Sequence, residues 1–154
     1  MEISGEIDGA AGEGGSKVIV LENLGSLTVG GAVRGSDTLA SGSIQVSGSL
    51  GSVRIGSLLG GMGEQSGSVL VSRNIGNVDI GDDFTAGSSF SAGSIRSTNG
   101  RIGQIHVGGD MDGSASSNEP MVEAETGVAG LSVGGDLIKT EIHAGVSILS
   151  LIHI

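Results

Sequence analysis

Apolar and polar residues alternate in short runs along this chain, and glycine closes each run. In GSVRIG, residues 51–56, Val53 and Ile55 are apolar, Arg54 between them is charged, and a glycine stands at either end. A period of two places Val53 and Ile55 on one face of a strand and Arg54 on the other. The run then recurs. LGSLTVGGAV starts at Leu24, LGSVRIGSLL at Leu50, IGNVDIGDDF at Ile75, IGQIHVGGDM at Ile102 and VAGLSVGGDL at Val128. The steps between starts are 26, 25, 27 and 26 residues. Self-similarity at a nearly constant period of this size marks a protein built of stacked repeats.

Each copy is apolar at offsets 0, 3, 5 and 9, as in Leu50, Val53, Ile55 and Leu59. Offset 3 collects Leu27, Val53, Val78, Ile105 and Leu131, and offset 5 collects Val29, Ile55, Ile80, Val107 and Val133. A second apolar pair precedes each next copy: Val18 and Val20, Ile44 and Val46, Val69 and Val71, Val122 and Ala124. Ile95 and Ser97 join this series if one extra residue is allowed near Asn99 and Gly100. A strand, a glycine corner, a second strand and a looser third segment describe one coil of an all-β, three-sided parallel β-solenoid. A single coil cannot bury its inward face. Stacking at about 4.8 Å aligns the aliphatic columns and pairs the backbone of each coil with its neighbours. The third side, such as RGSDTLASGS or DGSASSNEPM, reads as loop of variable length, and Pro120 falls there, where a missing N–H does least harm. Because 26 does not divide into hexapeptides, a right-handed coil is expected. A β-sandwich would not reuse one motif at fixed spacing, and a disordered linker would not keep an inward column.

The whole of 1–154 reads as one array, with a partial coil over 1–23 and coils starting at 24, 50, 75, 102 and 128. Ile3 and Ile7 sit where offsets 5 and 9 would fall, so the chain starts in mid-coil. Uncapped solenoid ends expose strand edges, which leads to the expectation of a fragment. Its partners would be further coils of a longer parent, or other copies meeting through the open ends. The terminal LSLIHI resembles the peptide made by translating through a transposon-derived sequencing adapter, so 149–154 is read as a non-native tail. The alternative is a final strand, in which Ile148 follows Leu137 by 11 residues as Ile95 follows Phe84.

Composition narrows the classes of function. Of 154 residues 31 are glycine, with two phenylalanines, no tyrosine, no tryptophan and one proline, yet 37% are hydrophobic. The mean hydropathy of +0.25 separates the chain from a disordered glycine-rich linker. A net charge of −10, with seven scattered Lys and Arg, argues against nucleic acid and anionic membranes as partners. The absence of cysteine excludes disulfides and thiolate metal sites. No apolar run approaches the roughly 18 to 20 residues of a membrane span, and MEISGEIDGA lacks the layout of a signal peptide.

Three groups of residues carry candidate chemistry. Offset 8 aligns Asp83, Asp110 and Asp136, with Asp82 and Asp112 near, a corner whose carboxylates could ligate Ca²⁺. The plainer expectation is that each Asp caps its own turn. GGD in this column loosely resembles the calcium-binding nonapeptide repeats of secreted bacterial toxins and proteases. The consecutive Gly-Gly-x-Gly-x-Asp spacing is missing, and that site is not carried over. Offset 4 forms an outward column of Thr28, Arg54, Asp79, His106 and Ser132, in which Arg54, Asp79 and His106 are the candidate catalytic set of a polysaccharide lyase or hydrolase. A charge ladder is the simpler reading, because a second carboxylate and an aromatic sugar platform are lacking. The mixed outward columns also lack the regular threonine array of an ice-binding face. His143 and His153 have no metal-ligand spacing.

The units GSLTVGG, GQIHVGGDM and GLSVGGDL resemble the glycine-rich β-solenoid repeats of large secreted or surface-displayed bacterial proteins, the stalks and adhesin-like arrays. The resemblance implies an extracellular or cell-surface location, a spacer or adhesive role without catalysis, and glycans or the cell surface as partners.

Overall fold

The computed structural model describes residues 1–9, 15–145 and 151–153, and it is all-β. Three parallel sheets wrap one core as a solenoid of about five turns. The front sheet has seven strands: Glu2–Ile3, Leu24–Val29, Leu50–Ile55, Ile75–Ile80, Arg101–Val107, Gly127–Val133 and Leu151–His153. The short sheet stacks six two-residue strands, among them Val33–Arg34, Leu58–Leu59, Phe84–Thr85 and Met111–Asp112. The back sheet stacks Lys17–Val20, Ser43–Val46, Ser68–Val71, Ser94–Ser97, Met121–Ala124 and Glu141–Ala144.

Register follows the sequence columns. Val53 pairs with Leu27 and Val78, Val78 with Ile105, and Ile105 with Leu131. All ten residues of the two ladder columns are at most 2% exposed. Each aliphatic side chain removed from water contributes about 2 kcal/mol, and each coil can collect that only when the next lies on it. Ile95 and Ser97 take their places beside Val69 and Val71, and the extra residue of the 27-residue step falls in the corner between Ser97 and Ile102. Ser97 tolerates its buried position by donating to the Arg73 carbonyl at 2.6 Å. Ile3 pairs with Val29 and Ile7 with Val33.

Two expectations are corrected here. In the second copy Leu58, not Leu59, enters the core: Leu58 pairs with Val33 and Phe84 and is fully buried. The 25-residue step loses its residue at the front-to-short corner, which is Gly56–Ser57 here and has three residues in the neighbouring coils. Nor does the third side vary in length before the last turn. Residues 35–42, 60–67, 86–93 and 113–120 are each eight long. These loops are themselves rungs: Ala40 N–H donates to Glu64 O, Gln65 N–H to Phe90 O, Gly67 N–H to Ser41 O and Gly93 N–H to Ser66 O. Ala40, Gln65 and Ser91 hold left-handed φ near +50°, and serine hydroxyls close the turns, Ser43 onto Ala40 O, Ser68 onto Gln65 O and Ser94 onto Ser91 O. Pro120 stands at the place of Gly42, Gly67 and Gly93, where its lack of an N–H leaves out one such rung.

The last turn is different. Only Lys139 and Thr140 separate its short strand, Leu137–Ile138, from its back strand, so Ile142 rather than Ile148 lines up with Val122. Ile148 lies outside the described residues. Leu151 pairs with Leu131 after a step of 20 residues, six fewer than the turn before, which is the length of loop missing between Ile138 and Glu141.

Candidate functional site

The front sheet's outward face carries most of the candidate chemistry. Thr28, Arg54, Asp79, His106 and Ser132 lie in one column, in register from coil to coil. Ser26, Ser52, Asn77 and Gln104 form a second polar row beside it. Between the rows lies an open depression of about 430 Å³ bordered by Ser52, Arg54, Asn77, Asp79, Gln104 and His106. The Arg54 guanidinium donates from Nε to Asp79 Oδ2 at 2.7 Å, and its Nη2 lies at the same distance in the ion pair. Arg54 is 71% exposed in this pair, so its contribution to stability is at most a few tenths of a kcal/mol.

Arg54, Asp79 and His106 stand on three successive rungs of this column. Chemically the set offers one carboxylate, held by a guanidinium, next to an imidazole on the following rung. Asp79 is the depression's sole bordering carboxylate. The two-carboxylate arrangement of glycoside hydrolysis is thus not assembled there. What the face does offer is planar hydrogen-bonding groups, amide, guanidinium, carboxylate and imidazole, repeated at a rung spacing of about 4.8 Å.

Asp83, Asp110 and Asp136 also stack, but they do not cap their own turns. Asp83 Oδ1 accepts the Asp110 N–H at 3.0 Å, and Asp110 Oδ1 accepts the Asp136 N–H at 2.8 Å. Asp83 and Asp110 thus each cap the coil that follows, which gives the backbone of the wide glycine corner an acceptor. Among the described residues no three His, Cys, Asp or Glu side chains gather as a metal-binding group. Asp112 behaves differently: the Ser114 N–H at 2.6 Å and then its hydroxyl at 2.9 Å hold the Asp112 carboxyl below the usual 3.8. A lowered folded value means that stability from this contact is complete above the unfolded value and is lost as pH falls through the folded one, below about pH 3.8. In a carboxyl ¹³C titration Ser114→Ala is expected to move the Asp112 midpoint upward; an unchanged midpoint would remove the hydroxyl's share of the shift.

Sequence reading missed a matching set of caps at the opposite edge of the front sheet. Asn23 Oδ1 accepts the Ser49 N–H at 2.8 Å, and Asn74 Oδ1 the Arg101 N–H at 3.1 Å. The signal was present, an Asn immediately before the first apolar residue of the copies at Leu24 and Ile75. Also missed was Arg96 to Glu123 on the back sheet, 2.5 Å apart at equivalent positions of adjacent coils. His143 lies 2.6 Å from Glu141 on the last back strand, and His153 lies on the last front strand. Comparison with protein-family models, with curated proteins and with solved structures finds no match to this chain.

Proposed function

We propose that this chain is a structural or adhesive repeat segment of an extracellular bacterial protein, working as a rod that carries outward side chains and performs no catalysis. One observation supports the reading above others: the inward columns stay aliphatic from coil to coil, whereas the outward column changes from Thr28 to Arg54, Asp79, His106 and Ser132. Such a division keeps the scaffold constant and leaves the surface free to differ. Glycans or a cell surface are the proposed partners. A glycan array together with a cell-adhesion assay tests this. Binding without change to the glycan is the expected result, and turnover of a polysaccharide would overturn it.

A polysaccharide lyase or hydrolase is the second reading, favoured by the stacking of Arg54, Asp79 and His106 around one depression. If turnover is found and Asp79→Ala leaves it unchanged, that set is not its site. A Ca²⁺-stabilised rod, through the column of Asp83, Asp110 and Asp136, predicts a Tm that rises with Ca²⁺ and falls with a chelator. A melt that ignores both removes it.

A further inference from the structure

The charges flanking the front face are unevenly divided. At the edge where the chain enters the sheet, Arg73 and Arg101 are exposed on the third and fourth coils. At the edge where it leaves, Asp82, Asp83 and Asp110 are exposed on the same two coils. Between them run the two polar rows, with no large apolar side chain on the face's outward positions from Ser26 to Ser132. In its middle coils the face is polarised across its width, cationic at one edge and anionic at the other.

We propose that this face pairs with the same face of a second copy, about a two-fold axis parallel to the rod. The symmetry decides the matching. Such an axis lays each edge of one copy on the opposite edge of the other and keeps equal coils level. Arg73 then meets the partner copy's Asp82 and Asp83, and Arg101 meets Asp110. The inner rows cross in the same way: Asp79 faces an Asn77, His106 a Gln104 and Arg54 a Ser52, so no like charges oppose each other there. A two-fold axis across the rod would instead set arginine on arginine. The fifth coil opposes the pairing, because Glu125 at the entry edge would face Asp136 at the exit edge, both exposed.

Size sets the strength. Five strands of six or seven residues give a width of about 20 Å and a height of about 24 Å. Two such faces bury roughly 1,000 Å² together, below the standard size for a specific pair and in the range of weak ones. Complementary edges supply orientation and salt dependence more than affinity. The net charge of −10 repels over longer range, but beyond about 10 Å at 0.1 M salt it is screened, while the edge pairs are in contact.

The test is sedimentation velocity of the whole chain in 0.1 M and 1 M salt, up to about 500 μM because a pair of this area is expected to be weak. A monomer–dimer equilibrium is expected, weakened about tenfold at 1 M salt. Arg73→Asp and Asp82→Arg are each expected to weaken it about tenfold or more, and the double variant to restore it. Glu125→Lys is expected to tighten it. Among the described residues neither the Arg73 nor the Asp82 side chain takes part in a hydrogen bond or ion pair, so these variants leave the coil's own contacts in place. A chain that is monomeric throughout, a dimer that tightens with salt, or single variants no weaker than the parent would each overturn the pairing. With single cysteines at Ser26 or Ser132, spin labels are expected to lie close in both cases. Long distances in both would mean an antiparallel pair and would also overturn it.

Discussion

Val78→Asp is expected to abolish the cooperative fold at 25 °C. Val78 is 2% exposed and lies between Val53 and Ile105 in the middle of the front-sheet ladder. A carboxylate there has no donor within the aliphatic column, and burying an unpaired charge costs several kcal/mol even after the group takes up a proton. Stability of a chain this size is about 5 to 15 kcal/mol in total. Repeat architecture makes the lesion worse, because each coil is stabilised chiefly by its neighbours and a break in the centre leaves two short stacks, each near the minimum length for folding. Asp79→Val, one residue along but outward, is the control. It removes the exposed pair with Arg54 and is expected to change stability by less than about 1 kcal/mol. Urea denaturation followed by far-UV circular dichroism reads both. Equal effects from the two variants would mean that inward and outward positions are not energetically distinct, and the ladder would lose its status as the core.

The columns were legible because two regularities coincide in them, alternation within a strand and a nearly fixed step between coils. Where either regularity fails, the sequence is ambiguous. Leu58 and Leu59 are adjacent and identical, so no side-chain property says which enters the core; the shortened corner decides it. The stacked loops were illegible for a different reason. Their order comes from backbone hydrogen bonds and from left-handed residues as unlike as Ala40, Gln65 and Ser91, and such residues share no chemical signature. What the loops do share, glycine then serine at Gly42–Ser43, Gly67–Ser68 and Gly93–Ser94, reads in sequence only as flexible loop composition. The aspartate column was visible, but not the direction of its caps, since the donor belongs to the next coil, about 26 residues away. Activity is the least legible level, because the column of Thr28, Arg54, Asp79, His106 and Ser132 changes residue type at every coil.

Gly67→Ala is expected to destabilise the chain by about 3 kcal/mol, against an ordinary surface change of about 0.5 kcal/mol. Gly67 has φ +56°, a conformation that costs a residue with a side chain about 1 kcal/mol. Space is the larger obstacle: a Cβ there would lie 2.0 Å from the Leu59 carbonyl oxygen. That oxygen accepts the Gly35 N–H at 2.8 Å, while Gly67 N–H donates to Ser41 O at 2.9 Å. Making room therefore displaces two rungs, and each hydrogen bond contributes about 1 kcal/mol net. Two residues earlier Gln65 holds the same φ of +56° with a side chain in place, so conformation alone is tolerated in these loops. Gln65→Gly relieves that strain but loosens the unfolded chain, and the two effects nearly cancel. Ser91→Gly is expected to go the other way, stabilising by about 1 kcal/mol, because Ser91 combines φ +53° with a buried hydroxyl that has no hydrogen-bond partner among the described residues. Denaturant midpoints of the three variants order them as Ser91→Gly, then Gln65→Gly, then Gly67→Ala. If Gly67→Ala matched Gln65→Gly, the eight-residue loops would be loose coverings and not rungs of the stack.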